Sequence, residues 1–211
     1  MGVDPSDQTQ VPGWAPYWRL AYTSRSETGS PTWEFGTSGL YAETYPGRNG
    51  SAGHDRSLDL GLDAQFQATL SAGDFLAMLS FTHENQMWDA SKPLGVAANA
   101  SDSLWRAAAS AHLLHDKTYG FEMQYFVVDG TRDPTLYPTS SRGLPLSDGA
   151  IFQFNWLPLN KNGGPGFWPK SNVMLTLQYI LYNRFNGGRR NYDGAGSNAW
   201  GNNTFFAGAW I

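Results

Sequence analysis

The chain has 211 residues, a formal net charge of −4 with only 14 lysines and arginines, and no cysteine. This excludes the basic stripe a nucleic-acid binder needs, and also disulfides, thiolate metal centres and a C-x-x-C-H haem attachment within this stretch. Aromatic residues make up 15% and charged residues 15%, with 24 glycines, whereas a typical soluble domain is roughly 25% charged.

Mean hydropathy is −0.42. No run approaches the ~20 apolar residues of a membrane helix. Helical spans are thereby excluded, but a β-barrel is not, because its strands alternate apolar and polar residues and keep a low mean. A secreted β-sandwich would share this composition, so the pattern along the chain has to decide.

Residues 1–13 are polar, contain no apolar segment of an export signal, and look like the second half of a loop. Period-two alternation then begins. Trp14, Pro16, Trp18, Leu20 and Tyr22 oppose Tyr17, Arg19 and Thr23. Trp33, Phe35 and Tyr41 oppose Glu34, Ser38 and Thr44. The cleanest case is 58–70: Leu58, Leu60, Leu62, Ala64, Phe66, Ala68 and Leu70 point one way, and Asp59, Gly61, Asp63, Gln65, Gln67 and Thr69 the other. At ~3.3 Å per residue such a strand is long enough to cross a bilayer at a tilt.

Phe75, Ala77, Leu79 and Phe81 follow, opposing Ser80, Thr82 and Glu84. Trp105, Ala107, Ala109, Ala111 and Leu113 oppose Arg106, Ser110 and His112. This segment has helical propensity, but its polar residues keep the period of two. Tyr119 to Val127, Phe152 to Trp156 and Val173 to Leu181 alternate similarly, and a mostly apolar segment closes the chain at 204–211.

The connections alternate too. Those at 25–31, 71–74 and 115–118 are short. Those at 45–55, 89–102, 129–148 and 186–202 are long and rich in Gly, Pro, Asn and Asp. Outer-membrane barrels alternate short periplasmic turns with long external loops in this way. The connection at 159–170 should be short and is not.

The expectation is an all-β, antiparallel transmembrane β-barrel. About nine strands lie here, in residues 14–211, after a loop remnant at 1–13. Bacterial single-chain barrels are even-stranded. Nine therefore implies either the C-terminal part of a larger barrel, with its export signal upstream, or a count wrong by one.

Several stretches then resemble a family of proteobacterial outer-membrane barrel proteins commonly labelled cytochrome c. They are H-E-N-Q-M-W-D-A-S from His83, P-L-G-V-A-A-N-A-S-D from Pro93, T-Y-G-F from Thr118, Tyr125–Phe126, and D-P-T-L-Y from Asp133. The most specific are L-Q-Y-I-L-Y-N-R-F-N-G from Leu177, N-Y-D-G from Asn191 and N-N-T-F-F-A-G-A-W from Asn202. The resemblance runs from about Gly36 onward. It implies a longer full-length protein with a signal peptide and one C-x-x-C-H haem motif ahead of the barrel. This sequence has neither, and it stops at Ile211, where family members usually continue to an aromatic residue.

The polar set expected to face inward is Arg19, Glu34, Asp59, Asp63, Glu84, Arg106, His112 and Glu122. These could line an aqueous channel and set its ion preference, or pair across strands in a filled lumen. The four histidines, His54, His83, His112 and His115, form no metal pair in sequence. The oxygen-rich loops around Asn191, Asp193 and Asn198, and around Asp129, Asp133 and Asp148, lack the spacing of a calcium site and read as external loops. The nine tryptophans cluster near expected strand ends, as in interface girdles; carbohydrate stacking is the rival reading.

No G-x-S-x-G elbow, H-E-x-x-H or P-loop occurs, so the chain is not expected to be an enzyme. No catalytic, cofactor or metal residue is assigned. The expected role is a porin-like passive channel for small solutes in the bacterial outer membrane, with the lipid bilayer as partner and no nucleic acid. The alternative, implied by the resemblance alone, is a redox-associated barrel. It would sheath or anchor a c-type haem carried by a full-length parent and meet periplasmic redox proteins.

Overall fold

A computed structural model describes residues 10–27, 30–48, 50–159 and 173–210. Most of the 1–13 loop, the 159–170 connection from 160 onward with Trp168, and Ile211 lie outside the described residues.

Among the described residues nine strands form one antiparallel sheet in chain order. They are β1 (Tyr17–Arg25), β2 (Thr32–Thr44), β3 (Asp55–Leu70), β4 (Gly73–Met87), β5 (Ser101–His115), β6 (Tyr119–Gly130), β7 (Ser147–Trp156), β8 (Met174–Arg184) and β9 (Thr204–Trp210). Each pairs with the next, so among the described residues β1 and β9 are the edges and the sheet is open. Among the described residues no helix is long and apolar enough to cross a membrane.

Strands β3, β4 and β5 run 16, 15 and 15 residues, against the five or six usual in globular proteins. They extend past the alternating core of the pattern because ladder pairing continues there: Asp55 pairs with Thr44, and Met87 with both Arg56 and Ser101. Trp14 and Pro16, by contrast, precede β1 rather than belonging to it. The alanine-rich stretch 107–114 is strand, because Arg106, Ser110 and His112 find Thr82, Met78 and Leu76 across the ladder to β4. Pairing on both sides overrides local helical propensity.

Residues opposite one another in a ladder share a face, so the register sorts the sheet. One row runs Leu62, Phe81, Ala107, Val127; another runs Phe75, Leu113, Phe121, Phe154, Leu177. The opposite face carries Gln65, Met78, Ser110 and Gln124, and lower down His112, Glu122, Gln153 and Gln178.

Among the described residues nothing covers the apolar face. Leu62 is 61% exposed, Leu79 59% and Phe205 66%. Apart from Pro145 and glycines, the buried apolar residues among those described are Ala68, Ala90, Ala97 and Ala199, and the largest fully buried side chains are Thr118 and Asp133. This is a sheet without a hydrophobic core. Soluble monomers rarely expose contiguous apolar patches above a few hundred Å². The small residues of β5 leave a shallow groove of about 530 Å³ on this face, lined by Phe35, Leu62, Leu79, Phe81, Ala107 and Ala109 among others.

Aromatic rings gather toward the short-turn end. Trp33 stacks parallel to Phe35, with centroids 6.4 Å apart, and lies 4.4 Å from Phe66. Phe154 contacts both Tyr119 and Phe121. Trp156 closes β7 at the same end.

A charged strip on the polar face and a knot of loop carboxylates

All eight residues singled out from the sequence lie on the polar face, and the register gathers them into three groups. Arg19 Nη2 donates to Glu34 Oε1 at 3.0 Å and to Asp63 Oδ1 at 2.7 Å. Thr23 Oγ1 adds a bond to Glu34 Oε2 at 3.3 Å. Arg106 lies 3.8 Å from Asp59 and 4.0 Å from Glu84. His112 Nδ1 sits 3.4 Å from Glu122 Oε2, and its Nε2 lies 3.0 Å from Ser110 Oγ.

The first group needs a residue that sequence reasoning missed. Arg19 on β1 and Asp63 on β3 are separated by β2, where Asp63 faces Gly36. A Cβ at Gly36 would overlap the Asp63 carboxylate. Glycine here lets the side chain lie across the intervening strand. The available signal was a glycine interrupting a strand pattern, which marks close approach.

These contacts are solvated: Arg19 and Arg106 side chains are 41% and 50% exposed. Exposed pairs contribute about 0–1 kcal/mol each. The strip therefore does little to hold the fold. Its chemical consequence is a field. Five carboxylates face two guanidiniums. Among these eight residues the balance is three negative charges.

Toward β7 and β8 the strip becomes neutral and amide-rich. Gln178 Nε2 donates to Gln153 Oε1 at 2.7 Å, and Thr176 Oγ1 to Asn155 Oδ1 at 2.8 Å. The remaining histidines lie elsewhere. His83 is on the apolar face between Leu60 and Trp105. His54 approaches Glu43 at 3.5 Å. His115 Nδ1 donates to Ala72 O at 2.7 Å, tying two neighbouring turns. Among the described residues no cluster of three or more His, Cys, Asp or Glu could hold a metal ion.

At the long-loop end, buried carboxylates are taken up by the loops' own backbone and side-chain donors. Asp55 Oδ1 accepts from the N–H groups of Ala90 and Ser91, both at 2.9 Å, and its Oδ2 accepts from Ser91 Oγ. Asp102 accepts from Trp88 Nε1 and Asn99 Nδ2, each at 2.7 Å. Fully buried Asp133 takes four backbone donors: Ala98 and Asn99 on one oxygen, Thr135 and Leu136 on the other, at 2.8–3.0 Å. Burial pushes Asp133 up, but the four N–H groups together outweigh it and hold the carboxyl below its ordinary value.

The loop at 186–202 is built the same way. Asp193 Oδ1 accepts from Ala195 and Ser197 N–H at 2.9 and 3.0 Å, and Asn191 Oδ1 from Gly196 N–H at 2.6 Å. These oxygens close turns. The structural use of Asp55 was not legible in the sequence, since it captures backbone groups 35 and 36 residues away.

Comparison with family models, curated proteins and solved structures finds no match to this chain.

Proposed function

We propose that this sheet is a segment of an outer-membrane β-barrel whose polar face lines a passive, cation-preferring channel for small solutes. One observation carries the reading: a single antiparallel sheet with one face mostly apolar and, among the described residues, uncovered, and the other polar and charged. Lipid is the solvent that makes such a sheet stable, because the strands satisfy their backbone groups by pairing while the apolar face stays in hydrocarbon. The apolar stretch of β3 spans about 40 Å along the strand. Tilted by about 40°, it projects to roughly 30 Å, close to the apolar band of a bacterial barrel.

Closure then has a parity rule. In an antiparallel sheet of nine, β1 and β9 run in the same direction. They can join antiparallel only through an odd number of further strands, which the full-length protein would supply. The redox-associated alternative rests on the resemblance of the terminal blocks and on no contact described above.

The excess carboxylate charge on the strip sets the ion preference. Planar-bilayer recording of the intact protein is expected to show ohmic conductance with cations favoured over anions. Neutralising Asp59→Asn, Asp63→Asn and Glu84→Gln together is expected to move the reversal potential in a salt gradient toward zero, without loss of the channel. A sealed bilayer overturns the channel reading. A reversal potential unmoved by the triple change overturns the assignment of this strip as the pore lining.

A further inference from the structure

Beyond Ile180, β8 loses its β9 partner, and the loop at 185–203 folds back beside it. A cavity of about 870 Å³ opens there, lined by Arg142, Arg184, Arg189, Arg190, Tyr182 and Trp200 among others. Arg184 is neutralised by Asp148, which it meets in a short ion pair. Among the described residues no carboxylate pairs with Arg142, Arg189 or Arg190. Three arginines without a carboxylate partner thus line one concavity at the rim of a sheet whose polar strip is negative.

The arrangement is built rather than incidental. Arg142 lies on the loop before β7, and Arg189 and Arg190 on the loop after β8. Two serines join these loops. Ser140 Oγ donates to Asn186 O at 2.7 Å and accepts from Leu144 N–H at 3.0 Å. Ser141 N–H donates to Tyr192 O at 2.7 Å. Arg189 O accepts from Ala199 N–H at 3.0 Å, and Arg142 O from Arg132 Nε at 2.8 Å. Gly187, buried at φ +87°, turns the chain where a side chain would be strained. Phe126, Tyr182, Phe185 and Tyr192 stack in edge-on succession at 5.1–5.7 Å and pin the loop to the sheet.

We propose that this cavity binds a phosphorylated sugar, the guanidiniums taking the phosphate and the 65% exposed Trp200 indole taking the sugar ring. Guanidinium forks match phosphate oxygens in bidentate geometry, and convergent positive charge in a concavity raises local anion concentration. The ligand is either a free phosphosugar or the headgroup of a phosphoglycolipid. The site stands independently of whether the polar face conducts, so a sealed bilayer leaves it intact.

The test uses the intact protein in detergent, titrated calorimetrically with glucose 1-phosphate. A parallel titration uses a phosphorylated, acylated glucosamine disaccharide in mixed micelles. Binding of either is expected, weakened about tenfold or more in Arg189→Gln/Arg190→Gln, and weakened again by Arg142→Gln. Trp200→Ala is expected to weaken the sugar ligands while leaving inorganic phosphate binding unchanged. Binding of the glycolipid alone assigns the lipid source; binding of both assigns the phosphosugar itself. Strand content by circular dichroism verifies that each variant is folded. Absence of binding to either probe, or equal affinity in folded wild type and double variant, overturns the proposal.

Discussion

Asp133→Ala is expected to release the loops at 88–100 and 131–146 together, at a cost on the order of 3 kcal/mol. Hydrogen bonds to a charged acceptor contribute about 1.5–3 kcal/mol each, and Asp133 has four, two from each loop. Water refills part of the vacated shell, so the four do not add in full. The readout is limited proteolysis: new cuts in both loops of the variant, with the strands unaffected. Asp133→Asn keeps one acceptor oxygen and turns an NH₂ toward two backbone donors, so its loops open nearly as far. The sign of the pH effect follows from the depressed folded value. The contribution is complete above the unfolded value of about 3.9 and is lost as pH falls through the lower folded value. Wild-type loops are therefore protected at neutral pH and become cleavable by an acid-active protease only in strong acid. Identical cleavage of wild type and both variants at neutral pH would refute this role.

The sheet was legible because its strands have two faces. Thirteen alternating residues from Leu58 to Leu70 can be arranged in few other ways. The short turns then fix register locally: the turn after His115 places His112 opposite Glu122. What alternation cannot encode is contact that skips a strand or leaves the ladder. Arg19 and Asp63 meet only because Gly36 lies between them, 44 residues separating the pair in sequence. Asp55 captures Ala90 and Ser91 from 35 and 36 residues away. Arg142 joins Arg189 and Arg190 only through the serine ties between two irregular loops. Local pattern specifies which face a residue takes; loop-to-loop hydrogen bonding, with no period of its own, specifies which residues converge.

The placement of the apolar face in lipid is tested most directly by a paired substitution on β3. Leu62, 61% exposed, sits near the middle of the apolar stretch, and Gln65 lies three residues on, on the opposite face. In a bilayer, arginine on the lipid side near the midplane costs about 2–4 kcal/mol, while a lumen-side change does not meet hydrocarbon. Leu62→Arg is therefore expected to lower unfolding free energy in phospholipid vesicles by that amount. Gln65→Arg, which faces Glu34 across the β2–β3 ladder, is expected to stay within about 0.5 kcal/mol. A water-exposed sheet responds in the opposite sense: removing an uncovered leucine from water is neutral or stabilising there, and neither substitution desolvates a charge. Equal, small effects of the two arginines would thus overturn the membrane placement. A cost confined to Leu62→Arg is the signature of a sheet with hydrocarbon on one side and water on the other, because three residues of strand carry the side chain across that boundary.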